Sequence, residues 1–343
     1  MKNIFVIGLF IISNFLLPQN TLGQGILLKK YTQKQQRIGV PSTTSFISDT
    51  SFVIIFEQKV EKKSANFKRG GFSILTKIDI TAYDNKGKVV KEFNLDDFTE
   101  KLTISDFIAE IIGEKLHIVF NVFEEDGSFS MYYAVLDILT GNRVLDTEYL
   151  GSSDSGLPNK IITSQDKSKL AFSIIRPMEK RSTETKIWMC VKDNNGNTLW
   201  EKEDIITHKK YKKATGPFLN NEPLSAILGN EGNLYFTIRM RKSFNSNEEK
   251  IRELWCLSDK GTKFSRINLL KEGIQMGHSR LIQKRDGNLL HSSLCKKSTG
   301  GLGIFNIIID TKNYTVTKSS FSFLTNDFEK LVSAAIKEQK LNV

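Results

Sequence analysis

The sequence predicts an all-β chain: a β-propeller of about five four-stranded antiparallel blades with a short C-terminal helix. Three observations carry this prediction. A β-hairpin pattern recurs along the chain, most clearly over Lys186–Lys202, where the apolar run Ile187–Val191 is followed by the turn Asn194-Asn195-Gly196 and the return Thr198–Trp200. The turn residues Gly87, Gly141, Gly196, Gly261 and Asn313 recur at intervals of roughly 50–65 residues, the span of one blade. Finally, Phe52–Phe56, Ile187–Val191 and Ile304–Ile309 are apolar at nearly every position. Such runs mark sheets buried on both faces. Two β-sandwich domains are the alternative architecture, and an incomplete ring is the alternative to a closed one.

Residues 1–23 read as a signal peptide. Lys2 supplies a positive start, Ile4–Leu17 an apolar stretch shorter than a membrane span, and Pro18 a break. Thr21 and Gly23 place cleavage before Gln24, and no second stretch is long enough to span a bilayer. Residues 24–42 form a polar N-terminal extension, and the propeller repeats occupy 43–323. Each repeat runs as a short apolar strand, a turn with Asp or Gly, a strand opening on Leu or Phe, and then the hairpin. The openings are Phe52, Leu116, Leu170, Leu234 and Leu289. Two insertions interrupt the period, at 61–71 and at 207–222, and both read as basic loops. Residues 324–343 form the terminal helix. Phe328, Leu331, Val332, Ala335 and Ile336 fall at helical spacing after an N-cap at Thr325 or Asn326.

Hydrophobic content of 39% with 25% charged residues supports a packed core and excludes global disorder. The formal net charge is +11, which loss of Lys2 lowers by one. Such a chain would be drawn to acidic glycans or anionic surfaces. Both signs are interspersed along the sequence, however, and this argues against a nucleic-acid groove. Cys190 and Cys256 each precede a turn aspartate, Asp193 and Asp259, by three positions. Equivalent positions in stacked sheets lie about 10 Å apart, beyond the reach of a disulfide. Both therefore read as small buried hydrophobes.

The repeat resembles that of bacterial secreted β-propeller proteins over about residues 43–323. The turn Asp137-Ile138-Leu139-Thr140-Gly141 is similar to the Asp-x-x-Thr-Gly turn of quinoprotein-type propellers, and Trp200 follows its own turn as that family's Trp does. In the Asp193 turn the glycine comes one residue early, and the other repeats lack the Trp. The resemblance implies the fold and an exported location, and it transfers no catalytic residue.

Signatures of chemistry are sparse. No GxSxG, HExxH, phosphate-binding glycine loop or EF-hand loop occurs, so no catalytic residue, metal or cofactor is assigned. His117 and His291 sit within strand patterns and read as packed core histidines. His208 and His278 fall in connections between blades, where ligands bind propellers. Asp154 and Glu222 are inter-blade carboxylates that a glycosidase could use. The sharpest local feature is Lys209, Lys210, Tyr211, Lys212 and Lys213: clustered ammonium groups suit sulfate or uronate, and the ring suits stacking on a sugar. Together with His278 these residues form the predicted ligand site. The sequence therefore predicts an exported, non-catalytic binding or scaffold protein, periplasmic or extracellular, whose partner is a protein or an acidic glycan. A glycan-active hydrolase or lyase on the same scaffold is the alternative.

Overall fold

The computed structural model describes residues 42–49, 51–63, 72–95, 104–124, 129–153, 161–176, 184–207, 226–241, 249–258, 260–298, 300–325, 327 and 330. The chain is all-β, a β-propeller of five antiparallel four-stranded blades, each a simple meander. Five separate meanders leave no room for the two-sandwich alternative. They fall into two compact units, residues 1–101 with 138–141, and residues 102–137 with 142–343.

The first unit carries sheet 1, built from β1 (Ser42–Ser48), β2 (Phe52–Lys63), β3 (Phe72–Asp84) and β4 (Val89–Asn94). Phe52–Phe56 is buried at every position, as its unbroken apolar run requires. The β3–β4 turn is closed by Asp84, whose Oδ1 accepts the backbone N–H groups of Lys86 and Lys88 at 2.9 Å each. Gly87 supplies the left-handed residue at φ 78°. The insertion at 61–71 is not wholly a loop. Glu61, Lys62 and Lys63 pair with Ile74, Ser73 and Phe72, which extends the hairpin and satisfies the backbone groups of both strands.

The second unit carries four sheets. Sheet 2 is β5 (Ile104–Ile112), β6 (Lys115–Phe123), β7 (Phe129–Asp137) and β8 (Arg143–Ser153). Sheet 3 is β9 (Ile162–Thr163), β10 (Lys169–Ile175), β11 (Glu184–Asp193) and β12 (Thr198–Thr207). Sheet 4 is β13 (Ala226–Leu228), β14 (Leu234–Arg241), β15 (Glu249–Ser258) and β16 (Lys263–Asn268). Sheet 5 is β17 (Ile274–Gln283), β18 (Leu289–Lys297), β19 (Leu302–Asp310) and β20 (Thr315–Phe323). The first strands draw together, with β13 in contact with β9 and β17 and a parallel bridge from Ser164 to Leu228.

Alternation along the third strands explains how the sheets stack. In β11, Trp188 and Cys190 face sheet 2 and join a core with Met131, Tyr133 and Val135. Met189 and Val191 point the opposite way, into a core with Phe236, Trp255 and Leu257 of sheet 4. A third core joins Leu254 and Cys256 to Leu281, Leu289 and Phe305 of sheet 5. Each such large side chain, fully buried, contributes about 1.5–3 kcal/mol, so these inter-sheet layers hold the unit together.

Two features correct the alignment of repeats read from the sequence. Cys190 faces backward to sheet 2 and Cys256 forward to sheet 5, so they are not equivalent positions. Asp193 precedes its turn glycine by three residues and Asp259 by two, and a one-residue difference turns every side chain to the other face. Both cysteines, with Cys295, are buried and free. In sheet 5 the left-handed turn residue is Tyr314, at φ 53°, and not Asn313. Its ring packs partly against the sheet 4–sheet 5 core, and its hydroxyl bonds Ser258. That cross-sheet anchor holds a conformation that costs a non-glycine residue about 1–2 kcal/mol. Of the C-terminal segment 324–343, Leu324, Thr325, Asp327 and Lys330 are described, and the last two are helical.

Candidate functional site

The sheets of the second unit have two ends of different character. At one end lie the tight turns between first and second strands and between third and fourth strands. Their carboxylates are committed to the backbone. Asp193 Oδ1 accepts the N–H groups of Asn195 at 2.8 Å and Asn197 at 2.9 Å. Asp310 Oδ1 takes that of Lys312 at 2.8 Å, and Asp286 Oδ1 that of Asn288 at 3.1 Å. Asp166, bonded by Ser164, Ser168 and the Ser168 N–H, is held down to about 2. These are turn caps rather than acid–base groups.

The same end interlocks neighbouring sheets. Trp200 Nε1 donates to Gly232 O at 3.0 Å, and a Cβ on Gly261 would meet the Trp200 ring at 2.9 Å. Glycine is therefore required where the sheet 4 turn rides on the indole. Gly196 packs against Leu145, Val135 and Tyr133 of sheet 2 in the same manner. A polar cluster lies directly below. Lys192 is fully buried, its Nζ 2.6 Å from both Glu148 Oε2 and Thr198 Oγ1 and 4.9 Å from the centre of the Tyr133 ring. Tyr133 in turn shares a 2.7 Å hydrogen bond with His117 Nδ1. Burial, then the charge of Lys115, pushes the His117 imidazole down to about 3, so the ring is neutral. Sequence reasoning recognised His117 as a core residue and missed Lys192. The signal was a lysine closing an apolar run immediately before the turn.

The opposite end carries the long connections. The predicted ligand residues Lys209, Lys210, Tyr211, Lys212 and Lys213 lie outside the described residues, as do His208, Asp154 and Glu222. The stretch that bears the lysines joins Thr207, at the end of β12, to Ala226, at the start of β13. Around its root the described charges are paired. Arg266 Nη2 bonds Asp204 Oδ1 at 2.9 Å and Ile205 O at 3.1 Å, and Arg176 Nε lies 3.5 Å from Glu203 Oε2.

His278 is not in a connection between blades, as the sequence suggested, but within β17. The strand begins six residues earlier than its apolar segment Arg280–Gln283 indicates, because a bulge accommodates the polar stretch. Met276 pairs with Cys295 and Ser279 with Ser293, so Gly277 and His278 together oppose one residue of β18. The His278 side chain lies outside the described residues. Its backbone is held from behind: Arg252, 2% exposed, donates from Nη2 to Gly277 O at 3.0 Å and from Nη1 to Ser293 Oγ at 3.5 Å. Beside it His291 is fully buried with neither ring nitrogen partnered. Burial, then the Arg252 charge, pushes this imidazole down to about 3. The Arg252 guanidinium thus braces the bulge. The sequence reads His291 as a packed core histidine, and it is one; Arg252 was not legible, since it lies in a charged stretch, Glu249–Glu253, that reads as solvated.

Among the described residues no group of three or more His, Cys, Asp or Glu side chains is placed to hold a metal ion, and no helix is long and apolar enough to cross a membrane.

No family model matches the chain, and no curated protein matches it in sequence. Similar solved structures include the β-propeller domain of the trilobed protease from Pyrococcus furiosus, which has an open velcro topology; identity is 12% and the TM-score 0.44, over 83% of this chain and 71% of that one. The acylaminoacyl peptidase of Pyrococcus horikoshii is similar at 12% identity and a TM-score of 0.42, over 83% of this chain and 40% of the peptidase. CoXyl43, a GH43 β-xylosidase/α-arabinofuranosidase from a compost microbial metagenome, is similar at 10% identity and a TM-score of 0.33, over 81% and 93%. Such distant likeness carries no chemistry to this chain.

Proposed function

We propose that the protein is an exported, non-catalytic binding or scaffold module of the bacterial periplasm or cell exterior, directed by residues 1–23, and that its ligand is a polyanion such as an acidic glycan. The observation that supports this reading is the contrast between the two ends of the sheets. Turn carboxylates are consumed as caps, while the described charges at the root of 208–225 are already paired with one another. Lys209, Lys210, Lys212 and Lys213 then concentrate positive charge on a long connection, and Tyr211 offers a ring for sugar stacking. Long connections on a rigid sheet scaffold are where binding residues collect. His278, on a braced bulge of β17, is the second contact in this reading.

The test is retention on a heparin-like column. Clustered ammonium groups give strongly salt-dependent binding, because the screening length falls from about 10 Å at 0.1 M salt to about 3 Å at 1 M. Replacing Lys209, Lys210, Lys212 and Lys213 by Ser should abolish retention while the melting temperature holds. Co-elution of the quadruple variant with the parent would assign retention to overall charge and remove the site.

A further inference from the structure

We propose that Asn195 is a deamidation site which the folded turn holds in check, and that its conversion to isoaspartate releases the sheet 3 turn from sheet 2. Asn195-Gly196 is the one Asn-Gly pair in the chain. Asparagine is thermolabile, and most so before glycine, where no Cβ shields the following nitrogen. The Gly196 nitrogen, losing its proton to solvent hydroxide, attacks Asn195 Cγ. The bond from Cγ to the side-chain nitrogen breaks, ammonia leaves, and a succinimide closes. Water then opens this ring at either carbonyl. Opening at Cγ leaves aspartate, and opening at the main-chain carbonyl leaves isoaspartate. The equivalent turns carry Lys86-Gly87, Thr140-Gly141, Lys260-Gly261 and Asn313-Tyr314, none of which joins the amide to an unshielded nitrogen.

The folded turn opposes every part of this reaction. The attacking nitrogen is engaged, since Gly196 N–H donates to Asp193 O at 3.0 Å. That bond spans Asn194 and Asn195, both at negative φ and with trans peptides, which defines a type I turn. Asn195 then has ψ at about 0°, and the Gly196 nitrogen is turned away from the side chain that must reach it. It has no room to swing round, because Gly196 is buried against Leu145, Val135 and Tyr133 of sheet 2. Asp193 Oδ1 holds the N–H groups of Asn195 and Asn197 at 2.8 and 2.9 Å, one on each side of the reacting peptide. Asn195 Oδ1 is itself held across the seam by Lys115 Nζ. The ring therefore closes only after the turn has lifted from sheet 2, and deamidation is gated by that local opening.

The two products then part. Aspartate keeps the length of the turn and sets a carboxylate beside the Lys115 ammonium, so the turn docks again. Isoaspartate routes the main chain through Cβ and Cγ and lengthens it by one carbon. A turn closed by one carboxylate and wedged at Gly196 has no place for that carbon. The chemistry is irreversible without repair, so opening of the seam between sheets 2 and 3 is recorded covalently at Asn195.

The experiment follows the full chain in mildly alkaline buffer, folded and in urea, by peptide mapping with an isoaspartate-specific methylation assay. In urea Asn195 should convert while Asn313, before a bulky tyrosine, stays an amide. In the folded protein conversion at Asn195 should be slower by about tenfold or more, the factor that gating by turn opening imposes. Asp193→Ala, which removes the cap, should bring the folded rate toward the unfolded one. Lys115→Met, which leaves the turn backbone intact, should raise it less. The isoaspartate fraction of aged protein, separated by ion exchange, should unfold at lower urea than fresh parent, whereas Asn195→Asp should match the parent. Equal rates in the folded and unfolded chain overturn the proposal, as does an Asn195 that stays an amide in urea. An isoaspartate fraction with the parent's urea midpoint overturns the release of the turn.

Discussion

The turn end of the second unit and its connection end divide the work of the sheets between them. At the turn end the loops are short, Asp193, Asp286 and Asp310 cap theirs, and two turns press onto the neighbouring sheet, Gly196 on Tyr133 and Gly261 on Trp200. At the connection end the chain leaves β12 at Thr207 and returns at Ala226, and the described charges beside that departure pair with one another across sheets 3 and 4. Stability is concentrated where the main chain approaches side chains most closely. Freedom to vary in length and charge is left to the other end. A repeat fold can therefore take an insertion on one side without disturbing how its sheets stack.

The largest expected effect breaks the turn end. A Cβ at Gly196 would lie 2.7 Å from both Leu145 Cδ1 and Val135 Cγ2, in a backbone at φ 91°. Gly196→Val combines left-handed strain with overpacking and should cost about 3–5 kcal/mol. Gly287 isolates the strain, since φ is 83° and nothing lies within 4 Å of its Cβ position. Gly287→Ala should cost only about 1 kcal/mol. Denaturant unfolding of both variants measures the difference. Equal losses would show that the turns do not dock.

An intermediate effect compares the two buried histidines. In the unfolded chain each imidazole takes up a proton near 6.5, whereas in the folded protein burial holds both down to about 3. The unfolded state thus binds more protons below 6.5. Stability is complete above that pH and is lost as pH falls toward 3, at up to about 1.4 kcal/mol per pH unit per histidine. His291 has no partner for either nitrogen, while His117 keeps its bond to Tyr133. His291→Leu should therefore leave neutral stability intact or raise it, and should recover about 2 kcal/mol at pH 5 relative to the parent. Urea midpoints at pH 7 and 5 test this; parallel losses in parent and variant would show that His291 titrates normally.

The sheets were legible in the sequence because their signals are local. Ile187–Val191 declares a strand buried on both faces, and Asp193–Gly196 declares its turn. What the sequence concealed depends on a single residue of offset or on distant partners. Cys190 and Cys256 look equivalent until the turn lengths are counted, and then they face opposite ways. Tyr314 takes a glycine's conformation while its hydroxyl shares a hydrogen bond with Ser258, far away in sequence. His278 read as a loop residue because a bulged strand loses the alternation by which strands are recognised. Lys192 and Arg252 resemble any surface cation, and only their packing against Glu148 and Gly277 O makes them structural. Of the candidate site, the lysine cluster was visible as composition, and composition carries no geometry.

The smallest expected effect sharpens the comparison from the connection side. If 208–213 contributes charge and no packing, exchanging Lys209–Lys213 for a Gly-Ser stretch of equal length changes little beyond local chain entropy. Loop entropy depends weakly on sequence at fixed length, and exposed charges contribute about 0–1 kcal/mol each. The melting temperature should then stay within about 2 °C of the parent. Insertion of one residue between Gly196 and Thr198 gives the opposite result. It must either bulge out of a turn held by Asp193 or send Trp200 to the wrong face, away from Gly232 O. Thermal unfolding of the two variants side by side is decisive. Should the Gly-Ser exchange destabilise as much as the turn insertion, the connection end would be packed structure, and the separation of stability from binding argued for these sheets would fail.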